Sequence, residues 1–178
     1  MPDSDTGAPP RVVLVTAAAL AVALAVAVAV FALTRPSPSD SAEPLPLVPV
    51  PAPFAGSPGC TTLLGAVPTE LTSNGTSLKV RALATPAPPA TVAWGTADPV
   101  VLRCGLNRPP ELTPTAQLRL VNKVQWLQVP GEGASTWYVV DREVYAALTV
   151  PDSAGTGPLQ AVSDAVAAKL APQPLRFS

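Results

Sequence analysis

Apolar and polar positions along the chain change period four times, and each change marks a boundary. Residues 12–33 carry no charge, no Pro and no Gly: twenty-two residues of Ala, Val and Leu, broken only by Thr16 and Phe31. At ~1.5 Å per residue a helix of that length reaches ~33 Å, the thickness of a hydrocarbon core. The run therefore predicts a transmembrane helix. Alternation of Ala with Val, or with Leu at position 24, from Ala21 to Val30 also fits a strand, but an isolated strand leaves its backbone unsatisfied in lipid. A cleaved signal peptide is the rival reading, with a shorter apolar region and a small-residue cleavage site. The length of the run favours an uncleaved signal-anchor. Ala17, Ala21, Ala25 and Ala29 lie on one ridge of such a helix, a spacing that suits close helix pairing but also follows from alanine-rich composition alone.

Beyond Arg35 the pattern disappears. Pro36, Pro38, Pro44, Pro46, Pro49, Pro51, Pro53 and Pro58 stand among Ser, Asp, Ala and Val, a composition that holds the chain in polyproline II and excludes helix or central strand. This predicts a spacer over 34–58.

From Gly59 onward the pattern is that of a folded domain. Leu63, Leu64, Val67 and Leu71 recur at helical spacing, which predicts a short helix from Cys60 to Val67, and Asn74-Gly75 marks a turn. Asn74-Gly75-Thr76 also fits a glycosylation acceptor, although the turn explains the same residues. Leu78, Val80 and Ala82 alternate with Lys79 and Arg81, the period of a half-buried strand. Short strands follow at Thr91–Trp94, Val100–Cys104, Leu118–Val121 and Val124–Val129. The turn Pro130-Gly131-Glu132-Gly133 leads into Thr136–Val140, predicting a hairpin. Val144, Ala146, Leu148 and Val150 make the clearest alternation, and Leu159, Val162, Val166 and Leu170 form one stripe of a closing helix. The expected class is α+β: an antiparallel or mixed sheet packed against two helices. The expected organisation is a cytoplasmic N-terminus at 1–11, a transmembrane helix at 12–33, a linker at 34–58, an extracytoplasmic domain at 59–172 and a tail at 173–178.

Composition narrows the chemistry. Histidine is absent, and eleven Lys and Arg against twelve Asp and Glu give a net charge of −1. The commonest general base and metal ligand is thus missing. Without a basic block, nucleic acid is not an expected partner. No cofactor or metal is expected, since two thiolates without His lack the partners a metal needs. Cys60 and Cys104 are the only cysteines. On an oxidising side of a membrane two cysteines in one small domain pair, which predicts a staple between the first helix and a central strand; two buried thiols are the alternative.

Trp94-Gly95, the run Asp98-Pro99-Val100-Val101-Leu102-Arg103-Cys104-Gly105, Val124-Gln125-Trp126, Asp141-Arg142-Glu143-Val144-Tyr145 and the closing helix together resemble an actinobacterial family, domain of unknown function 3515. The resemblance covers about Cys60 to Leu170. It implies a membrane-anchored or secreted layout and brings no established activity or cofactor.

The functional expectation is a single-pass protein of the cell membrane, its C-terminal domain outside, binding an envelope protein or a cell-wall component, with the lipid bilayer as partner of 12–33. Trp94, Arg103, Arg108, Trp126, Asp141 and Arg142 are the candidate polar and aromatic cluster, because Arg grips carboxylate or phosphate and Trp lines pockets. The structural alternative makes the two Trp core residues and pairs Arg103 with Asp98 or Asp141. A wall-modifying hydrolase is the competing class, and it would need two of Asp98, Glu111, Asp141 and Glu143 to converge.

Overall fold

The structure, a computed structural model, describes residues 11–34 and 43–177. Residues 1–10 of the expected cytoplasmic N-terminus at 1–11, the first part of the linker at 35–42 and Ser178 lie outside the described residues. The chain divides into two compact units, 1–41 and 42–178.

In the first unit, helix α1 spans Arg11–Thr34. Among the described residues no helix is long and apolar enough to cross a membrane. That finding overturns the transmembrane signal-anchor assignment of 12–33. Ala and Val in an unbroken run are sufficient for helix, but a helix satisfies its backbone internally in any solvent, so its formation does not itself select lipid.

The second unit is mostly β. Helix α2 (Pro58–Leu64) is followed by strands β1 (Glu70–Ser73), β2 (Thr76–Arg81), β3 (Thr91–Trp94), β4 (Val100–Leu106), β5 (Leu118–Val121), β6 (Val124–Pro130), β7 (Ala134–Val139) and β8 (Tyr145–Pro151), then by helix α3 (Gly157–Lys169). All eight strands join one sheet in the order β1-β2-β3-β4-β8-β7-β6-β5, and every pairing in it is antiparallel. The α+β expectation is therefore corrected to a single antiparallel eight-stranded sheet with helices as its cover. Short β-branched strands joined by tight turns need no crossover helix to pair, and the sheet takes most of the domain's length. Helix α3 touches β1 at one edge and β5 at the other, so the sheet curls around it.

Side-chain alternation splits the sheet into two apolar faces. Trp126, Val139, Ala146 and Cys104 stand in one row across β6, β7, β8 and β4. They belong to the larger core, which Leu63 of α2 and Leu159, Val162 and Val166 of α3 complete. The neighbouring row, Leu127, Tyr138, Ala147, Arg103 and Thr91, faces the other way. Leu112 closes that second face, with Ala52 and Leu175 packed against it.

Ala52 belongs to the Pro-rich segment, which lies against the sheet from Glu43 onward. The Leu45 N–H donates to the Ala82 carbonyl at 2.8 Å, and the Ala84 N–H donates to the Leu45 carbonyl at 2.9 Å. Arg81 fixes the strap's start, donating from Nε and Nη2 to the Glu43 carbonyl at 3.1 and 2.7 Å. Its Nη1 reaches the Thr96 carbonyl at 2.6 Å. A chain without its own periodicity is thus held by backbone groups that sequence patterns do not display.

Candidate functional site

The two predicted tryptophans are core. Trp94 is fully buried and donates from Nε1 to the Pro68 carbonyl at 2.8 Å. Trp126, equally buried, donates to Ser163 Oγ at 2.9 Å, and Ser163 in turn donates to the Leu159 carbonyl at 2.7 Å. Each indole satisfies its one donor inside the protein, leaving no polar group for a ligand.

Arg103 stands on the opposite face, since successive residues of a strand alternate. Its Nη2 donates to the Val48 carbonyl at 3.4 Å. Arg108 donates from Nη1 to the Leu112 carbonyl at 2.8 Å, closing the loop after β4. Asp141 and Arg142 form a buried ion pair at 2.8 Å. Arg142 also donates to the Asp141 carbonyl at 2.9 Å and to the Lys123 carbonyl at 3.0 Å. The six residues therefore occupy a core, a sheet face, a loop and a turn junction; the structure does not gather them into one site. The carboxylates are scattered likewise. Asp98 accepts from Ser153 Oγ at 3.1 Å, Asp141 is held by Arg142, and Glu143 borders a cleft.

That cleft is a concavity built in part from motif residues. About 470 Å³ in volume, it is lined by Phe54, Ser57, Pro58, Glu143, Val144, Tyr145 and Arg176, a size that accepts a small molecule or a short peptide end. Three chain segments make it. The strap contributes Phe54 to Pro58, the turn into β8 contributes Glu143 to Tyr145, and the tail contributes Arg176.

Each segment is positioned by identifiable contacts. The Phe54 N–H donates to the Gly105 carbonyl at 3.0 Å. Gly105 has φ +83, and a Cβ there would run into the backbone of Phe54 and Ala55, so only glycine admits the strap. The Cys60–Cys104 disulfide, closing a separation of 44 residues, covalently joins α2 to β4 beside that contact. Ser57 caps α2, its Oγ accepting from the Cys60 N–H at 3.3 Å. A Cβ on Gly59 would strike the Glu143 carboxylate, which places Glu143 hard against the helix. On the other side, Arg176 donates from Nη2 to the Arg142 and Glu143 carbonyls at 2.9 and 3.1 Å. Its guanidinium lies over the Tyr145 ring at 5.1 Å from the centroid, a cation–π contact. The cleft thus joins apolar walls to one fixed cation and one carboxylate.

Sequence reasoning missed Phe54, Ser57, Pro58 and Arg176, which lie in the segments read as linker and tail. One signal was present: Phe54 is the only aromatic in 35–58.

The fold defines the folded unit as a small, disulfide-stapled, antiparallel β-sheet domain with a cleft at the junction of strap, β8 and tail. The chain belongs to the family described as "Protein of unknown function (DUF3515)", whose model matches residues 18–175. No curated protein and no solved structure matches it.

Proposed function

We propose that the protein is an interaction module of the actinobacterial cell envelope, its folded unit on the extracytoplasmic side, taking an envelope protein or a cell-wall component in the Phe54–Tyr145–Arg176 cleft. The observation that carries this reading is the cleft itself: apolar walls around Tyr145 and a guanidinium held in place by two carbonyls. Pre-positioned groups of this kind bind without a large ordering cost. The disulfide supports the compartment, because such bonds persist where the surroundings oxidise.

A photo-crosslinking residue at Phe54 in cells of the native host, compared with the same residue at Leu120, tests it. Leu120 is 73% exposed and lies outside the cleft. The expected result is a discrete adduct from position 54 that Arg176→Ala reduces by about tenfold, the loss of one charge-assisted contact. Equal adducts from both positions, or no effect of Arg176→Ala, would remove the cleft from the function. A membrane-impermeant thiol reagent that fails to label an introduced surface cysteine at Leu120 in intact cells would remove the compartment.

A further inference from the structure

Arg103 is the polar residue whose surroundings are least settled. Arg81 uses Nε, Nη1 and Nη2 on carbonyls at 2.6–3.1 Å, and Arg142 places both Nη atoms and pairs with a carboxylate. Arg103 makes a single bond, at 3.4 Å, to the Val48 carbonyl. Its Nε is buried and has no partner. Guanidinium nitrogens shut away from water are normally satisfied; Arg142 Nε is likewise buried without a partner, but both Arg142 Nη atoms are engaged and Asp141 meets its charge, whereas Arg103 has neither among the described residues.

The register supplies a neighbour. Arg103 pairs with Ala147 on one side, and Ala147 pairs with Tyr138 on the other. Two long polar side chains therefore flank one small buried residue, on strands ~10 Å apart. The Tyr138 hydroxyl has no hydrogen-bond partner among the described residues, and Tyr138 is half-buried. Burial first, then Glu111, hold its phenol above the ordinary tyrosine range, with Arg103 opposing them. It is a neutral donor at physiological pH.

What covers these groups is thin. Residues 48–51 of the strap are all exposed, Val48 by 79%. Their side chains contribute little burial, and a backbone carbonyl at 3.4 Å is a weak acceptor for a guanidinium. An anionic oxygen would be shorter and stronger, and moving this part of the strap aside costs little apolar contact.

We propose that Arg103, held at the strap by the Val48 carbonyl, and Tyr138, on the other side of Ala147, form a carboxylate-binding site in which the Val48 carbonyl holds the place of one ligand oxygen. The guanidinium supplies Nε–H and Nη2–H, and the phenol supplies O–H to the second oxygen. Net charge selects the ligand class. One cation with Glu111 close by suits a monoanion, and a phosphate dianion meets repulsion without a second cation to offset it. The site lies on the sheet face away from α2 and α3 and is separate from the cleft, so the two stand or fall independently.

The test is the ¹H–¹⁵N resonance of Arg103 Nε–Hε in the full chain, assigned by its loss in Arg103→Lys. N-acetylglycine is titrated against its amide, inorganic phosphate and chloride at matched ionic strength. The expected result is a saturable shift with N-acetylglycine, none with the amide, and an affinity about fivefold weaker in Tyr138→Phe, the size of one lost hydrogen bond. Tyr138→Phe removes only an oxygen, so a folding failure does not mask the answer. A shift that follows every salt alike, or is unchanged in Tyr138→Phe, means that Arg103 only anchors the strap and overturns the proposal. Tighter binding of phosphate than of carboxylate overturns the ligand class.

Discussion

Arg142 places a buried charge where two turns and the tail meet. Its guanidinium spans the Asp141 carboxylate, the Asp141 carbonyl and the Lys123 carbonyl. The Asp141 carbonyl also accepts the Gln173 N–H at 2.8 Å. One residue thus ties the β5–β6 turn, the β7–β8 turn and the tail. Asp141→Asn keeps the shape and removes the compensating charge; a loss of ~3 kcal/mol is expected from the uncompensated guanidinium, read from urea denaturation. A variant as stable as the parent would show that Lys123 and backbone carbonyls suffice. Tyr138 gives a second measurable effect. Its folded phenol binds its proton more tightly than the unfolded one, which titrates at ~10. Below that value both states are protonated and the residue adds no pH dependence. Above it the unfolded chain releases its proton first, so stability falls as pH rises. The stability of Tyr138→Phe relative to the parent should therefore increase between pH 9 and pH 11, measured as urea midpoints. A constant difference would sink the assignment.

Among elements, the disulfide and the strap depend on one another. The Cys60–Cys104 bond closes a separation of 44 residues, which corresponds to ~4 kcal/mol of unfolded-state entropy. The double variant Cys60→Ala, Cys104→Ala should lose about that much, and the strap should become cleavable near Phe54 before the sheet unfolds, in timed proteolysis with mass detection. Simultaneous loss of strap and sheet would contradict a covalent anchor for the cleft wall. How legible these elements were follows from what carries their contacts. β3 and β5 fall on the ranges their alternation predicts, and the β6–β7 hairpin forms around its Gly-rich turn, because side chains facing a core repeat every second residue. β1 was hidden because Leu71 extends the spacing of Leu63, Leu64 and Val67 and reads as more helix. Gly105 reads as a strand terminator, yet β4 continues through it to Leu106 with an irregular register. The strap was legible as extended chain, but its placement rests on carbonyls and amides common to every residue. Arg176 and Phe54 meet across more than a hundred residues of sequence, a distance no local period spans.

For the folded unit as a whole, curling is the organising fact. An eight-stranded antiparallel sheet with α3 against both edge strands removes the free edges that would invite pairing with other chains. The second face is then closed by irregular chain, from Leu112, Ala52 and Leu175. Helices cover one side; strap, loop and tail cover the other in pieces. Other concavities border α3, and the cleft stands at a seam between strap and tail. The helices and strands of a sequence announce the covered side. The seams emerge only when the pieces are laid together.

The strap's attachment also decides how the domain would carry a mechanical load. Tension arriving from the N-terminal side meets the Arg81 clamp on Glu43 first and the Leu45 bridge next, contacts that open one at a time. It would then peel the segment back through Val48 and Phe54 until it reached Cys60. There the path turns covalent and passes straight into β4, a strand hydrogen-bonded on both sides near the middle of the sheet. Under a pull the strap would be released first, and the disulfide would then pass the load to the hydrogen bonds of β4 without letting residues 61–103 extend.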